Sequence, residues 1–492
     1  MNERSEIIML TEELVELVKQ IEKQKCESQV LELKSAIGGC PHKLYDTLSG
    51  FSNQDSGGII VFGIDETKDY NIVGVYDLQK LQKSVTEQCN QMEPLVRAVF
   101  TTAEIDGLQI CSAEIPGIDV SERPCYYTGK GRIKGSYIRV GDADQLMTDY
   151  EIYSYEAFRK HQHDDERPIE RANFLLLDQN LLESYVIHKR VERPRFAQLD
   201  DQQAYELLNI THDGVPTLAS VMNFGIYPQG LLPQLAITAL VVPGTEIGEK
   251  VGTDSRFLDN KRIEGTIKNM VEDAVSFCHR NMKVETFIDP SSGMRRDRPE
   301  YPIEAIREAV LNALIHRDYS YFSEGTPVQL NFFTDRLEIH SPGNLYGRMT
   351  VEQLGRAKPD LRNPALAVMT EVLTGAENRY SGIPTIRREM AQHGLPEPVF
   401  ENRRNEFVVI LYNGRKTEEI VETQKADEQP KTLLEFCEEP RSRREIADFL
   451  KLKTTAYVTE QYIKPLLNEG KLVMTIPEKP RSTLQKYKTV KN

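Results

Sequence analysis

The sequence predicts a multidomain protein of the α+β class, and three observations support this prediction. Residues 27–148 alternate short apolar strands, helices and glycine turns, which is typical of an α/β unit. Residues 303–343 contain an amphipathic helix followed by two strands, and residues 432–474 contain three short helices and the start of a hairpin. A chain of 492 residues has room for about three or four domains of about 100 to 200 residues each.

Shifts in composition divide the chain. The helical spacing of apolar residues over residues 7–21 predicts an N-terminal helix, and the almost purely polar residues 415–431 predict a flexible linker. The charge-rich residues 149–190 predict a connection between two domains. We therefore expect six regions, with these boundaries: a helix (1–24), an α/β domain (25–150), a connector (151–190), a larger α/β domain (191–413), a linker (414–431) and a C-terminal domain (432–492).

The overall composition excludes several classes of protein. The formal net charge of −14 argues against nonspecific coating of nucleic acid by the whole molecule, so any such contact must come from a local basic patch. The chain lacks a run of about 18 apolar residues and a signal peptide pattern, so we expect a cytoplasmic protein without a membrane partner. Seven scattered cysteines without a Cys-x-x-Cys pair predict reduced thiols, with neither disulfides nor zinc.

The predicted helix over residues 303–316 carries a distinctive polar face. Glu308, Asn312 and His316 recur every four residues and therefore share one side of the helix, away from its apolar stripe. A solvated face of an ordinary amphipathic helix is the simpler explanation of such a pattern. The strand pair that follows, joined by a turn at Asp335 and ending in Ser341-Pro342-Gly343, favours a functional role instead.

This region resembles the gyrase, MutL and histidine-kinase (GHKL) ATPase superfamily, in a divergent branch found in bacterial regulators and helicase-like proteins. The resemblance covers roughly residues 165–413, including the matching segments 360–364 and 390–398. It implies an ATPase-like α/β sandwich that binds ATP and Mg2+, with Glu308 as the general base toward water and Asn312 as a Mg2+ ligand. The residues that it assigns to the nucleotide site are Glu308, Asn312, His316, Asp335, Ser341, Gly343 and Gly382.

Two departures from the family pattern bear on hydrolysis. Ser341 stands where ATP-hydrolysing relatives have the aspartate that accepts a hydrogen bond from adenine, and an unpaired polar edge costs about 1 to 3 kcal/mol. The second glycine box retains only Gly382, although several glycines usually let backbone amides approach a phosphate. We therefore expect nucleotide binding, and ATP hydrolysis is an alternative.

The N-terminal segment brings acidic residues and a lysine together. Glu32 and Lys34 share one face of a predicted strand that follows Glu27, and a second buried strand delivers Asp65 and Glu66 at its end. A further predicted strand, residues 135–141, carries the basic Arg139.

Residues 25–150 resemble the Schlafen core, or AlbA-like, domain through four motifs. They are Glu27-x4-Glu32-Leu33-Lys34, the segment from Phe51 to Gly58, the strand end at Ile64-Asp65-Glu66, and Tyr137-Ile138-Arg139-x-Gly141. The resemblance implies binding of DNA or structured RNA, with Lys34 and Arg139 as contacts. In nuclease members of the family, three acidic residues hold Mg2+ or Mn2+, and carboxylate oxygens are the ligands that such hard cations prefer. The aligned residues here are Glu27, Glu32 and Glu66, with Asp65 beside them. In the alternative, these acids only mark the fold of a binding module.

The C-terminal region has the element order of a winged helix, whose third helix is presented to a DNA groove. Basic residues near the chain end suit phosphate contacts. The same fold also packs against other domains or dimerises, and the clustered basic residues favour DNA. The candidate contacts are Thr455, Tyr457, Lys464, Lys479 and Arg481.

The order of these three regions predicts a nucleic-acid-binding regulator, transcriptional or defence-related, with a nucleotide-binding middle domain. We expect DNA or structured RNA as partners and self-association into a homo-oligomer. Two alternatives remain open: a metal-dependent ribonuclease of the Schlafen type that acts on structured RNA such as tRNA, with Glu27, Glu32, Glu66 and Lys34 as catalytic residues, and an ATP hydrolase that uses Glu308.

Overall fold

The computed structural model describes residues 9–248, 257–288, 295–375, 381–414, 433–450, 458–468, 470–475, 477 and 485–490. The chain folds as two compact units, residues 1–413 and 414–492. Both contain helices and strands, which confirms the predicted multidomain α+β class. Among the helices in these ranges, none combines the length and the apolar character needed to cross a membrane.

The N-terminal domain (residues 9–148) is built on a four-stranded sheet. Its strand order is β1-β2-β7-β6, in which β1 and β2 run parallel and the other neighbours run antiparallel. The elements of residues 9–160 are α1 (Thr11–Gln24), β1 (Leu31–Lys34), α2 (Tyr45–Ser52), β2 (Gly58–Phe62), β3 (Ile64–Asp65), β4 (Asn71–Ile72), α3 (Leu78–Cys89), β5 (Met92–Glu93), β6 (Val99–Ile105), β7 (Leu108–Ile115), β8 (Tyr126–Tyr127), α4 (Gly131–Gly135), β9 (Tyr137–Val140), β10 (Ala143–Leu146) and α5 (Asp149–Lys160).

The two faces of this sheet carry separate apolar cores. Side chains alternate along a strand, so Val61 of β2 packs with α1, whereas Ile60 and Phe62 pack with α2 and α3. Leu33 of β1 joins the α1 core. Glu32 and Lys34 therefore lie on the opposite face of the sheet from α1.

The second domain (residues 165–413) is a helix layer on a six-stranded sheet. The strand order is β14-β13-β17-β18-β20-β19, with β13 and β17 parallel and the other neighbours antiparallel. Its elements are α6 (Gln179–Glu192), α7 (Asp201–Leu207), β11 (Thr211–His212), β12 (Val215–Pro216), α8 (Leu218–Phe224), β13 (Ile237–Val241), β14 (Asp259–Ile263), α9 (Ile267–Asn281), β15 (Val284–Ile288), β16 (Arg295–Pro299), α10 (Ile303–His316), β17 (Val328–Phe332), β18 (Arg336–Pro342), α11 (Pro364–Thr374), α12 (Gly382–Gln392), β19 (Val399–Arg403) and β20 (Glu406–Tyr412).

Helix α10 lies at the centre of the second domain. Its apolar side, including Ile306, Val310 and Leu314, is buried in one large core with α9, α11, α12 and the sheet. Burying an apolar side chain of this size stabilises the fold by about 1.5 to 3 kcal/mol. The core thus fixes α10, and with it the direction of the polar face that carries Glu308 and Asn312.

The C-terminal unit has a small core of its own, which includes Ile446, Val458, Leu472 and Tyr487. A three-stranded antiparallel sheet has the order β21-β23-β22. The elements are α13 (Leu433–Phe436), β21 (Arg441–Ser442), α14 (Arg443–Phe449), a π-helical turn (Thr459–Ile463), α15 (Lys464–Asn468), β22 (Leu472–Met474) and β23 (Lys486–Thr489).

Candidate functional site

A cavity of about 160 Å³ opens beside the polar face of α10. Its walls are α10, the start of α12, strands β18 and β20, and the loop that joins β18 to α11, called here the β18–α11 loop (residues 343–363). Most of its lining is apolar, as in sites that take up a small organic ring. The ionisable or amide side chains on its wall include Glu308, Asn312, His316, Asp360, Arg362 and Glu371.

The structure brings the three predicted residues of α10 to this cavity. Glu308 is half-buried, and burial raises the pKa of its carboxyl group. The Nδ2 atom of Asn312 is buried and has no hydrogen-bond partner among the described residues. His316 also lines the cavity, where desolvation, reinforced by the charge of Arg362, lowers its pKa to about 4.

Gly382 closes the cavity beside these side chains. A Cβ atom at this position would come within 2.6 Å of Asn312 Nδ2 and 3.1 Å of Glu308 Oε2, so a larger residue would require the Asn312 side chain or α12 to shift. The N-terminus of a helix carries a partial positive charge that favours anions. The unpaired amide donor of Asn312, this helix start and the apolar wall fit a nucleotide, with Glu308 and Asn312 as the side chains that would meet its phosphates and Mg2+.

The remaining residues predicted for the nucleotide site have different positions. Ser341 and Gly343 line the cavity, but the Ser341 hydroxyl donates to the Ala313 carbonyl of α10 at 2.9 Å and holds the strand to the helix. Asp335 does not line the cavity. It lies at the far end of β18, where its carboxylate pairs with Arg336 at 3.0 Å. The strand is seven residues long, so its two ends cannot serve one pocket.

Arg362, which the sequence did not single out, fixes the β18–α11 loop. Its side chain is buried and donates from Nη2 to the Asn344 carbonyl at 2.7 Å, across the base of the loop. Its Nη1 lies 3.6 Å from Asp318 Oδ2. A Cβ atom on Gly343, which has a φ of +101°, would collide with this guanidinium. The only signal in the sequence was an arginine within the matching segment 360–364.

In the N-terminal domain the structure gathers some of the predicted acids. Glu27 forms a side-chain hydrogen bond with Glu66, and burial together with this bond raises the pKa of Glu27 to about 8. Glu32 pairs with Lys34 and, at 2.8 Å, with Arg139.

Two of the predicted residues in this domain have structural roles. Asp65 caps the short helix that follows it by accepting from the Thr67 amide at 3.1 Å. Arg139, expected to contact nucleic acid, is instead buried, with its side chain 1% exposed between Glu32 and Asp144. The sequence predicted a strand that carries Arg139, but not that its side chain is covered.

This arrangement does not fit a divalent cation. Two basic side chains, Lys34 and Arg139, already neutralise Glu32, which leaves only Glu27 and Glu66 beside each other. Within the described ranges, no group of three or more His, Cys, Asp or Glu side chains is arranged to hold a metal ion.

In the C-terminal unit the predicted contact Lys464 begins α15 and is exposed. Lys486 and Lys488 alternate outward along β23. The other predicted contacts, Thr455, Tyr457, Lys479 and Arg481, lie outside the described residues.

Comparison with protein families assigns the two larger domains. Residues 27–148 match the family described as "Schlafen, AlbA_2". These residues form a Schlafen domain. Residues 325–411 match "Putative ATP-dependent DNA helicase recG C-terminal", which makes the second domain ATPase-like, and residues 428–489 match "Filamentation induced by cAMP protein Fic-like, C-terminal domain". Together, the Schlafen domain and the ATPase-like domain indicate a protein that binds nucleic acid and ATP.

Among curated proteins, none matches the chain. Among solved structures, the DIP2311 protein from Corynebacterium diphtheriae is 18% identical, with a TM-score of 0.39 over 94% of this chain and 93% of that one. The N-terminal domain of a RecG-related protein from Nitrosomonas europaea is 24% identical, with a TM-score of 0.23 over 27% of this chain and 92% of that one.

The contact between Gly382 and Asn312 predicts the effect of one methyl group. Replacing Gly382 by alanine forces Asn312 or α12 to shift, and overpacking of this kind costs about 1 to 3 kcal/mol. Gly382→Ala should therefore weaken ATP binding about tenfold or more. Isothermal titration calorimetry with ATP and Mg2+ measures this affinity. The control is Gly325→Ala, because a Cβ atom there meets nothing within 4 Å. Equal ATP affinity in the wild type and Gly382→Ala would rule out binding beside Asn312.

Proposed function

We propose that this protein is a nucleic-acid-binding regulator whose Schlafen domain responds to a nucleotide in the ATPase-like domain. The observation that carries the proposal is the position of the β18–α11 loop. Residues 344–346 and Met349 of this loop line both the cavity beside α10 and a second cleft, between the two domains. One segment therefore forms a wall of the nucleotide site and a wall of the domain junction.

The same loop directly contacts the Schlafen domain and α5, the helix that follows it. Arg348 donates from Nε and Nη2 to the two carboxylate oxygens of Asp119 at 3.2 and 3.1 Å, and these bonds hold the pKa of Asp119 well below its usual range. Tyr346 packs edge-on against Phe158 of α5, with ring centroids 5.3 Å apart. Gly347 lies so close to Phe158 that a Cβ atom would be 2.8 Å from its ring.

Two further contacts tie α5 and its flanks to the ATPase-like domain. Arg404, between β19 and β20, donates to both carboxylate oxygens of Glu151 at 3.1 and 3.2 Å. The Nδ1 atom of His163 lies 3.0 Å from the carbonyl oxygen of Arg362, the residue that closes the loop. The β18–α11 loop thus takes part in the domain junction at two places, at its tip through Arg348 and at its base through Arg362.

A nucleotide in the cavity acts on the Schlafen domain only if it binds one arrangement of the loop better than another. Mg2+, when bound, would supply positive charge against the phosphates, which the Asn312 amide and the start of α12 would position, with Glu308 beside them. The loop residues Tyr346 and Arg362 form the remaining wall. Closure of the loop on the nucleotide would strengthen or break the Arg348 contact and so change how the Schlafen domain is held.

The C-terminal unit adds a third element to the proposal. Its helices and three-stranded sheet support a winged-helix module with exposed Lys464, Lys486 and Lys488. Control of transcription, a role in phage defence, ATP hydrolysis by Glu308 and self-association into a homo-oligomer stay predictions.

Coupling between the nucleotide cavity and the Schlafen domain predicts that ATP changes the affinity of the protein for nucleic acid. Coupling free energies of about 1 to 3 kcal/mol are typical, so the dissociation constant for a labelled DNA or RNA should shift at least fivefold with ATP and Mg2+ in fluorescence anisotropy. Arg348→Ala should reduce that shift because it removes the contact with Asp119.

The matched control is Arg388→Ala. The two arginine side chains are 58% and 57% exposed and each pairs with one carboxylate, but Arg388 pairs with Glu389 of its own helix. Arg388→Ala should keep the full shift. A wild-type protein whose nucleic-acid affinity is the same with and without ATP would contradict the coupling.

A metal-dependent ribonuclease is the second candidate, favoured only by the contact of Glu27 with Glu66. Because Glu32 is already paired with Arg139 and Lys34, we expect the wild-type protein not to cleave tRNA in the presence of Mn2+. Its activity should equal that of the Glu66→Ala variant. The control is Glu122→Ala, which removes an exposed acid elsewhere in the domain. Cleavage by the wild type and by the control, but not by Glu66→Ala, would establish the ribonuclease in place of the binder.

A further inference from the structure

Three tyrosines and two lysines form an outer surface of the Schlafen domain, called here the tyrosine–lysine surface (Tyr45, Tyr127, Lys130, Lys134 and Tyr137). The rings of Tyr45 and Tyr127 are stacked, with centroids 4.5 Å apart and planes inclined by 13°. Tyr137 is tilted against Tyr45 at 6.2 Å. All three rings are half-buried, so part of each remains open to solvent.

The lysines belong to the same surface. Lys130 Nζ lies 4.5 Å from the centre of the Tyr45 ring and donates to the Tyr137 hydroxyl at 3.3 Å. Lys134 follows one helical turn later on α4, and both lysines are exposed. Among the described residues neither lysine has an acidic partner, whereas the neighbouring Arg132 pairs with Glu156. The surface is therefore locally positive on a chain with a net charge of −14.

The backbone holds the rings in place. A Cβ atom on Gly129 would lie 2.6 Å from the Tyr127 ring, so glycine is what lets the ring fold over this turn. The Tyr137 amide donates to Ser49 Oγ at 2.7 Å, and Asn53 donates to the Tyr137 carbonyl at 3.0 Å. These bonds tie β9 to α2, which begins at Tyr45, so the rings are ordered before any ligand arrives.

We propose that the tyrosine–lysine surface binds single-stranded nucleic acid, with bases stacking on the tyrosine rings and phosphates held by Lys130 and Lys134. Aromatic faces interleaved with cations are how proteins hold unpaired strands. A duplex hides the faces of its bases and offers this surface only phosphates. The proposal rests on the nucleic-acid binding proposed above and specifies the surface and the form of the ligand.

The first test measures affinity with the full-length chain. Labelled 12-nucleotide oligouridylate, oligothymidylate and a 12-base-pair duplex are titrated by fluorescence anisotropy at low salt. Lys130→Ala/Lys134→Ala should weaken binding of both single strands about tenfold and reduce the slope of log K against log salt by about 1.4, the value for two phosphate contacts. The control is Lys19→Ala/Lys23→Ala on α1, because α1 packs on the opposite face of the sheet from α2.

The second test uses the absence of tryptophan from the chain. Tyr45→Trp introduces the only tryptophan of the chain at this surface. Stacking of a base should quench the tryptophan emission on addition of a single strand, but not of the duplex. Tyr227→Trp, at an exposed tyrosine of the other domain, should show no quenching. This readout stays informative if the double lysine variant is poorly folded.

The outcomes separate the two proposals. If the wild type binds single strands but the double lysine variant binds them equally and Tyr45→Trp is not quenched, the surface is wrong and nucleic-acid binding stands. If the wild type binds no nucleic acid at all, both proposals fail. Tighter binding of the duplex than of the single strands would also overturn the surface. Comparison of the two single strands shows whether the ligand is RNA or DNA.

Discussion

The position of the β18–α11 loop depends on one buried cation, the guanidinium of Arg362. The guanidinium bridges the two ends of the loop by donating to the Asn344 carbonyl, and it lies near Asp318. The backbone carbonyl oxygen of Arg362 contacts His163. Removing one partner from a buried charge pair typically costs about 3 to 5 kcal/mol, since the other charge is left uncompensated. The cavity wall and the junction with the Schlafen domain both rest on this anchor.

The contacts at the tip of the loop have a different character from those at its base. The pair between Arg348 and Asp119 is about half exposed, and exposed pairs contribute only about 0 to 1 kcal/mol to stability. A contact of that strength can open and close at little cost. A rigid base with a weak tip is an arrangement in which a ligand in the cavity can change the domain junction without unfolding the loop.

The sequence predicted the position of a functional residue where that position depends only on the residue's own helix or strand. The four-residue spacing placed Glu308, Asn312 and His316 on one wall of a cavity, because α10 is a regular helix. The family resemblances misplaced Asp335 and Arg139, because the surroundings of these two residues are set by strand length and by distant segments. Arg362 and the tyrosine–lysine surface combine residues from separate elements, which no local period reveals.

Hydrogen exchange of the full-length protein, followed by mass spectrometry with and without ATP and Mg2+, tests the central claim most directly. The account predicts that nucleotide changes the exchange of the β18–α11 loop and, together with it, of residues 117–123 and α5 across the junction. A change confined to α10 and α12, with residues 117–123 unaffected, would contradict it.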